Sequence, residues 1–228
     1  MQPRFLGQLG LADLVTAVSA AIGFAAVASA VVDPAAAARL ILLAAIADGL
    51  DGVIARTRGG TPVGPMLDSL ADVSSFGVAP AALVYVVATG GGISLDAPAA
   101  AAAVLVPAIY VSMSVVRLGF YMLEDCEKPE TEGVQTTLAA TVLAVAYLAG
   151  VTDPSVLVGL TALFAYLMVA SITYPDLYAR DAVILGALQA LAIAFPTAVN
   201  RVFPRSLLLF AVAYLVLAPF FYWRKTTL

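Results

Sequence analysis

The chain has 228 residues, of which 62% are hydrophobic and only 11% charged, and its mean hydropathy of +1.01 is far above that of a soluble domain of this length. A net charge of −4 argues against a nucleic-acid partner and is compatible with a salt-adapted host, while the absence of histidine removes the commonest metal ligand and the commonest general base. The lone Cys126 excludes an intramolecular disulfide, so any acid-base or metal chemistry must rest on carboxylates.

Apolar stretches run from Leu11 to Val32, Ala35 to Ile54, Leu70 to Ala88, Ala97 to Val115, Leu138 to Gly150, Val156 to Ile172, Ala182 to Phe195 and Leu207 to Phe221. Most are near the length that crosses about 30 Å of hydrocarbon. The expectation is an all-α integral membrane protein, a bundle of about eight transmembrane helices. Leu11 to Val32 lacks a basic n-region and processing site and runs into further spans, so it is read as part of the fold. The connections are too short for a second domain, and residues 1–228 are read as one membrane domain. With a cytoplasmic N-terminus, Arg4, Arg56, Arg58, Arg117, Lys128, Arg180, Arg224 and Lys225 fall inside and Arg39, Arg201 and Arg205 outside. Trp223, beside Tyr222, Arg224 and Lys225, reads as an interfacial anchor. Pro80, Pro107, Pro196 and Pro219 read as helix kinks.

Carboxylates inside a membrane cost of order 2.5–3.5 kcal/mol each and need partners. The end of the second span, A-D-G-L-D-G-V-I-A-R, places Asp48 and Asp51 on neighbouring parts of one helix face. After the turn T-R-G-G-T-P-V-G-P, the next helix opens L-D-S-L-A-D-V-S-S-F-G, with Asp68 and Asp72 sharing a face. Two antiparallel helices joined by so short a turn are neighbours, which brings four carboxylates to one point near the cytoplasmic interface. Two divalent cations would balance them, and all-oxygen ligation favours Mg²⁺ or Mn²⁺. The expectation is a binuclear site between the second and third helices, polarising a phosphate. Gly52, Ala55 and Gly64 leave room for a bulky ligand, and Arg56 offers a guanidinium to a diphosphate. Membrane-surface anchoring is the competing role for Arg56 and Arg58. A cation pathway in a transporter is the competing reading of the four acids, though they adjoin a loop and no repeat is visible.

The string D-x-x-D-G-x-x-A-R, seven residues, then G-x-x-x-D-x-x-x-D, from Asp48 to Asp72, resembles the signature of the CDP-alcohol phosphatidyltransferase family at all eight fixed positions. The resemblance implies displacement of CMP from a CDP-linked lipid by an acceptor hydroxyl, with divalent metal. It makes Asp48, Asp51 and Asp68 metal ligands, and Asp72 the base with a possible metal contact. It puts Gly52, Ala55, Arg56 and Gly64 along the CDP part of the donor. A-D-L-V-T, from Ala12 to Thr16, resembles the family's P-N-x-x-T element with Asp where Asn is usual. It gives Asp13 and Thr16 a donor-site role, against helix capping for Asp13.

The continuation D-S-L-A-D-V-S-S-F-G-V-A-P-A is similar to the serine-transferring branch of the family, whose members make phosphatidylserine or archaetidylserine. V-R-L-G-F-Y resembles that branch's R-L-A-R-F-N segment with Arg117 matching, and E-G-V-Q-T-T loosely resembles its G-L-P-x-P stretch. This places Arg117, Thr136 and Thr137 at the acceptor. The loop after Arg117 carries Glu124, Asp125, Glu127, Glu130 and Glu132 against Lys128 alone, which suits an acceptor with an ammonium group such as L-serine better than glycerol phosphate or inositol phosphate. Those phosphorylated alcohols, or another small alcohol, remain the alternatives. A homodimer in the cell membrane, surrounded by lipid and with its active site facing the cytoplasm, completes what the resemblance and charge bias imply.

Overall fold

The computed structural model describes residues 6–92, 97–124, 130–175 and 177–222. Arg4, Asp125, Cys126, Glu127, Lys128, Trp223, Arg224 and Lys225, singled out above, lie outside the described residues, as does the side chain of Glu124.

Eight long helices make up the described residues: α1 (Leu11–Ala30), α2 (Pro34–Arg58), α3 (Gly64–Thr89), α4 (Pro98–Glu124), α5 (Thr136–Ala149), α6 (Pro154–Leu167), α7 (Ala179–Ala194) and α8 (Ala198–Phe221). Among them α1, α3, α4 and α8 are long and apolar enough to cross a membrane. With 14 residues each, α5 and α6 span only about 21 Å at 1.5 Å per residue. Local chemistry sets the ends. Asp33 and Asp153 each accept two backbone N–H bonds at the starts of α2 and α6, each followed by a proline in the first turn.

Several boundaries differ from the hydropathy reading. The third helix starts at Gly64 rather than Leu70, because Asp68 and Asp72 lower the hydropathy of its first turns without interrupting the backbone. The fourth continues past Val115 to Glu124. Arg117 does not stop it, since its guanidinium is bonded to Thr131 Oγ1 within the protein. The sixth ends at Leu167 instead of Ile172, where the chain turns into a strand. The last begins at Ala198, ahead of Leu207, through a left-handed turn at Val199, Asn200 and Arg201.

The all-α expectation also needs one addition. Strand β1 (Glu130–Glu132) pairs antiparallel with β2 (Thr173–Pro175), matching Thr131 to Tyr174. It ties the approach to α5 to the chain between α6 and α7. The backbone passes so closely here that a Cβ on Gly133 would meet Met168 O at 2.2 Å, and φ of +74° also requires glycine.

Small residues let the helices approach. Ala26, Ala30, Ala37, Ala38 and Ala44 are fully buried where α1 lies along α2, as expected where packing rather than the hydrophobic effect holds membrane helices together. Gly23 faces Ser75 of α3 across a gap that admits no side chain. Interhelical polar bonds add to this: Ser19 Oγ donates to Ala44 O (3.3 Å), Ser75 Oγ to Ser19 O (2.9 Å) and Gln189 Nε2 of α7 to Leu42 O of α2 (2.6 Å).

In the middle of α3, Val73–Val78 forms a π-helical segment, with Ala79 N–H reaching Ser74 O. Pro80 has no N–H to offer Phe76 O in the regular pattern, and the buried Tyr110 hydroxyl of α4 donates to that carbonyl at 2.9 Å instead. Pro80 thus adjoins a register shift directly after Asp72.

Candidate active site

The site is built at one end of the bundle, where α2 and α4 finish and α3 and α5 begin. The last turns of α2 bring Asp48, Asp51 and Arg56. The first turns of α3 bring Asp68 and Asp72. Helix α4 supplies Arg117, Leu118 and Tyr121, β1 supplies Glu130 and Thr131, and the start of α5 supplies Gln135, Thr136 and Thr137. Together with Gly49 and Gly52 these residues line one cavity of about 400 Å³.

Carboxylate oxygens of Asp48, Asp68 and Asp72 lie within 4.8 Å of one another. Ligand oxygens of a single octahedral Mg²⁺, at about 2.1 Å from the ion, are roughly 3 to 4 Å apart. Closing this cluster on one cation therefore takes shifts below an ångström. Three carboxylates so close, with Asp72 only 9% exposed, need opposite charge to remain ionised together. The all-oxygen donor set suits a hard divalent cation. Asp51, also buried, borders the same cavity and accepts the Thr16 hydroxyl at 2.6 Å, which fixes its carboxylate from α1. The residues present thus fit divalent cations.

Arg56 lies along its own helix. A Cβ at Gly52 would come within 3.2 Å of Arg56 Nη1, so the glycine leaves the guanidinium its place beside the aspartates. On the far side, Arg117 is 7% exposed, its Nη2 donates to Thr131 Oγ1 at 3.2 Å, and its guanidinium stands 5.6 Å from the centre of the Tyr121 ring. This cation is held from both α4 and β1.

Of the residues expected at a site, the structure gathers Asp48, Asp51, Asp68, Asp72, Gly52, Arg56, Arg117, Thr136 and Thr137 around this cavity. Asp13, Thr16, Ala55 and Gly64 are not in its lining. Thr16 reaches the site through Asp51. The Asp13 carboxylate accepts Gly10 N–H and the Thr61 hydroxyl, both at 2.8 Å, joining the start of α1 to the turn between α2 and α3. Gly64 packs on that joint, where a Cβ would stand 3.3 Å from Asp13 Oδ1. Arg58 is exposed in the last turn of α2. Tyr121, Thr131 and Gln135 line the same cavity and lie outside the set of site residues that the sequence points to. Tyr121 lies one helical turn beyond Arg117 and Gln135 directly precedes Thr136, so both were within reach of the sequence, whereas Thr131 reaches the cavity through a strand pairing with no local signal.

Fold and site define a predominantly helical membrane protein with a carboxylate cluster suited to divalent cations at one end of the bundle. The sequence matches the CDP-alcohol phosphatidyltransferase family over residues 9–174, and the chain belongs to that family. It is 30% identical over 171 residues to the archaetidylserine synthase of Methanothermobacter thermautotrophicus, covering 73% of this chain and 70% of the relative. Shorter matches, each 55% identical, link it to proteins named CDP-diacylglycerol–serine O-phosphatidyltransferase. That of Mycobacterium leprae aligns over 53 residues, 23% of this chain and 18% of the relative. That of Methanocaldococcus jannaschii aligns over 47 residues, 20% and 23%.

Proposed function

We propose that the chain transfers a phosphatidyl or archaetidyl group from a CDP-linked lipid to the hydroxyl of L-serine, releasing CMP. The observation that carries this reading is the single cavity that joins the α2–α3 aspartates to Arg56 on one side and to Arg117 and the start of α5 on the other. The names of the relatives point to the same acceptor.

Asp48, Asp51, Asp68 and Asp72 would hold two divalent cations, Mg²⁺ or Mn²⁺, which when bound offset the charge of the donor diphosphate and of the departing CMP. Arg56 holds the diphosphate from the α2 side. Thr16 orients Asp51, and Asp13 fixes the loop that carries Gly64 toward the donor. Asp72 accepts the proton of the serine hydroxyl as its oxygen attacks the phosphorus bearing the lipid. The bond from that phosphorus to the bridging oxygen breaks, and CMP leaves with the electron pair. Arg117, Thr136 and Thr137 position the acceptor for attack.

The basic residues of α2 and α4 near the site favour a cytoplasmic active site, and the same proposal includes a homodimer embedded in lipid. Purified protein given CDP-linked lipid and Mn²⁺ or Mg²⁺ should release CMP with L-serine, and not with glycerol 3-phosphate or inositol 3-phosphate. Release with a phosphorylated alcohol would overturn the acceptor. Silence with every acceptor and either metal would overturn the transferase reading.

A further inference from the structure

Two of the site's aspartates stand directly before an irregular turn. Asp72 precedes the π-helical segment Val73–Val78 of α3, and Asp68 lies one turn further back. A π turn holds one residue more than the α-helical pattern. Each residue advances an α-helix by about 100° and 1.5 Å, so the extra one fixes which way everything before the turn points relative to everything after it. Were the segment to relax to α-helix while the apolar part of α3 kept its packing, Asp68 and Asp72 would swing by about 100° and turn away from Asp48.

The turn is gripped from two sides. From α4, the Tyr110 hydroxyl donates to Phe76 O at 2.9 Å, and the helix lies so close that a Cβ on Gly77 would stand 3.3 Å from Ser114 Cβ. From α1, Ser75 Oγ donates to Ser19 O at 2.9 Å. Tyr110 is fully buried, and its hydroxyl serves a carbonyl that Pro80, having no N–H, cannot. Both gripping helices carry other parts of the site. Thr16, which fixes Asp51, is on α1, and Arg117 is on α4, two turns beyond Tyr110.

We propose that Tyr110 is a positioning residue: by holding Phe76 O it keeps the π turn that aims Asp68 and Asp72 at Asp48. It lines no part of the cavity and lies outside the sequence motifs. The inference rests on the assignment of these aspartates to divalent cations and of Asp72 to the acceptor proton. Residues that orient metal ligands govern affinity, and Tyr110 does so one step further out, through the backbone that carries two ligands at once.

The test uses full-length protein in detergent and reads two quantities. One is the Kd for Mn²⁺ without substrate, from the electron paramagnetic resonance signal of free Mn²⁺. The other is kcat for CMP release at saturating Mn²⁺ with CDP-linked lipid and L-serine. The Kd belongs to the folded fraction, so partial unfolding does not mimic the effect, and it does not depend on which alcohol is the acceptor. In Tyr110→Phe, Mn²⁺ should bind at least fivefold more weakly and kcat should fall at least tenfold. Gln189→Leu is the control. It removes another buried bond from a side chain to a helix carbonyl, Leu42 O, away from the turn, so Tm should fall while Mn²⁺ affinity stays within about twofold. Ser75→Ala, which releases the turn from α1 instead, should also weaken Mn²⁺ binding. A smaller loss of Mn²⁺ affinity in folded Tyr110→Phe, or an equal loss in Gln189→Leu, would overturn the role of Tyr110; should Tyr110→Phe not fold, unchanged Mn²⁺ affinity in Ser75→Ala overturns it. Failure of the underlying reading shows separately, as wild-type protein that neither binds Mn²⁺ nor releases CMP.

Discussion

The close approach of α1 to α3 at Gly23 makes Gly23→Ala an informative single substitution. A Cβ at Gly23 would lie 2.6 Å from Ser75 Oγ, 2.8 Å from Ser75 Cα and 3.0 Å from Ser75 N. The hydroxyl can rotate away, but the backbone of the π segment cannot. Restoring ordinary contact at about 3.4 Å to the Cα requires the two helices to separate by about 0.6 Å. Overpacking of this kind costs about 1–3 kcal/mol. Loss of the Ser75 to Ser19 hydrogen bond, 2.9 Å in the native packing, adds about 1 kcal/mol. Alanine returns up to about 1 kcal/mol through its better helix propensity, which leaves a net loss of about 1–3 kcal/mol. For a chain of this size that is roughly 3–10 °C in Tm, read by thermal unfolding in detergent. Because α1 also carries Thr16, whose hydroxyl fixes Asp51, kcat should fall about tenfold or more. Gly159→Ala is the control, since no atom lies within 4 Å of its added Cβ, and it should not lower Tm. A Gly23→Ala protein that melts with the wild type and with Gly159→Ala would refute the close-packing argument.

Two further outcomes follow from the site and its scaffold. Asp48→Asn and Asp68→Asn should each raise the Mn²⁺ concentration for half-maximal CMP release at least tenfold, and chelation should silence the wild type, whereas Asp72→Asn should remove turnover at any Mn²⁺ concentration; unchanged metal titrations in the first two would remove them as ligands. Tyr110→Phe should cost about 1–3 kcal/mol by leaving the buried Phe76 carbonyl without its hydroxyl donor, and an unshifted unfolding transition would mean that the π segment satisfies that carbonyl by itself.

The aspartate half of the site was legible because its geometry is local. Asp48 and Asp51 share a helix face, as do Asp68 and Asp72, and the short turn between the helices leaves little choice about how the faces meet. Charge at membrane depth made the same residues conspicuous. The opposite wall has no such signal. Thr131 and Glu130 reach the cavity because β1 pairs with β2, a contact between segments separated by two helices, and a three-residue strand has too short a pattern to announce itself. The Thr16 to Asp51 and Asp13 to Thr61 bonds, 35 and 48 residues apart in sequence, are equally invisible from either partner alone.

The two helices that run longer than their apolar stretches at the site, α3 and α4, do so for one physical cause. Hydropathy detects the part of a helix that faces lipid, whereas a helix that carries a site extends beyond it. Asp68 and Asp72 concealed the first turns of α3, and Arg117, near the end of α4, follows the point where the apolar run gives out. Backbone hydrogen bonding continues through both because the polar side chains face a cavity or bond within the protein, which removes the desolvation cost that would otherwise end a membrane helix. The residues that blurred the boundaries are therefore the ones that exposed the function: a polar extension of an apolar helix, placed opposite another such extension, is what a site between membrane helices requires.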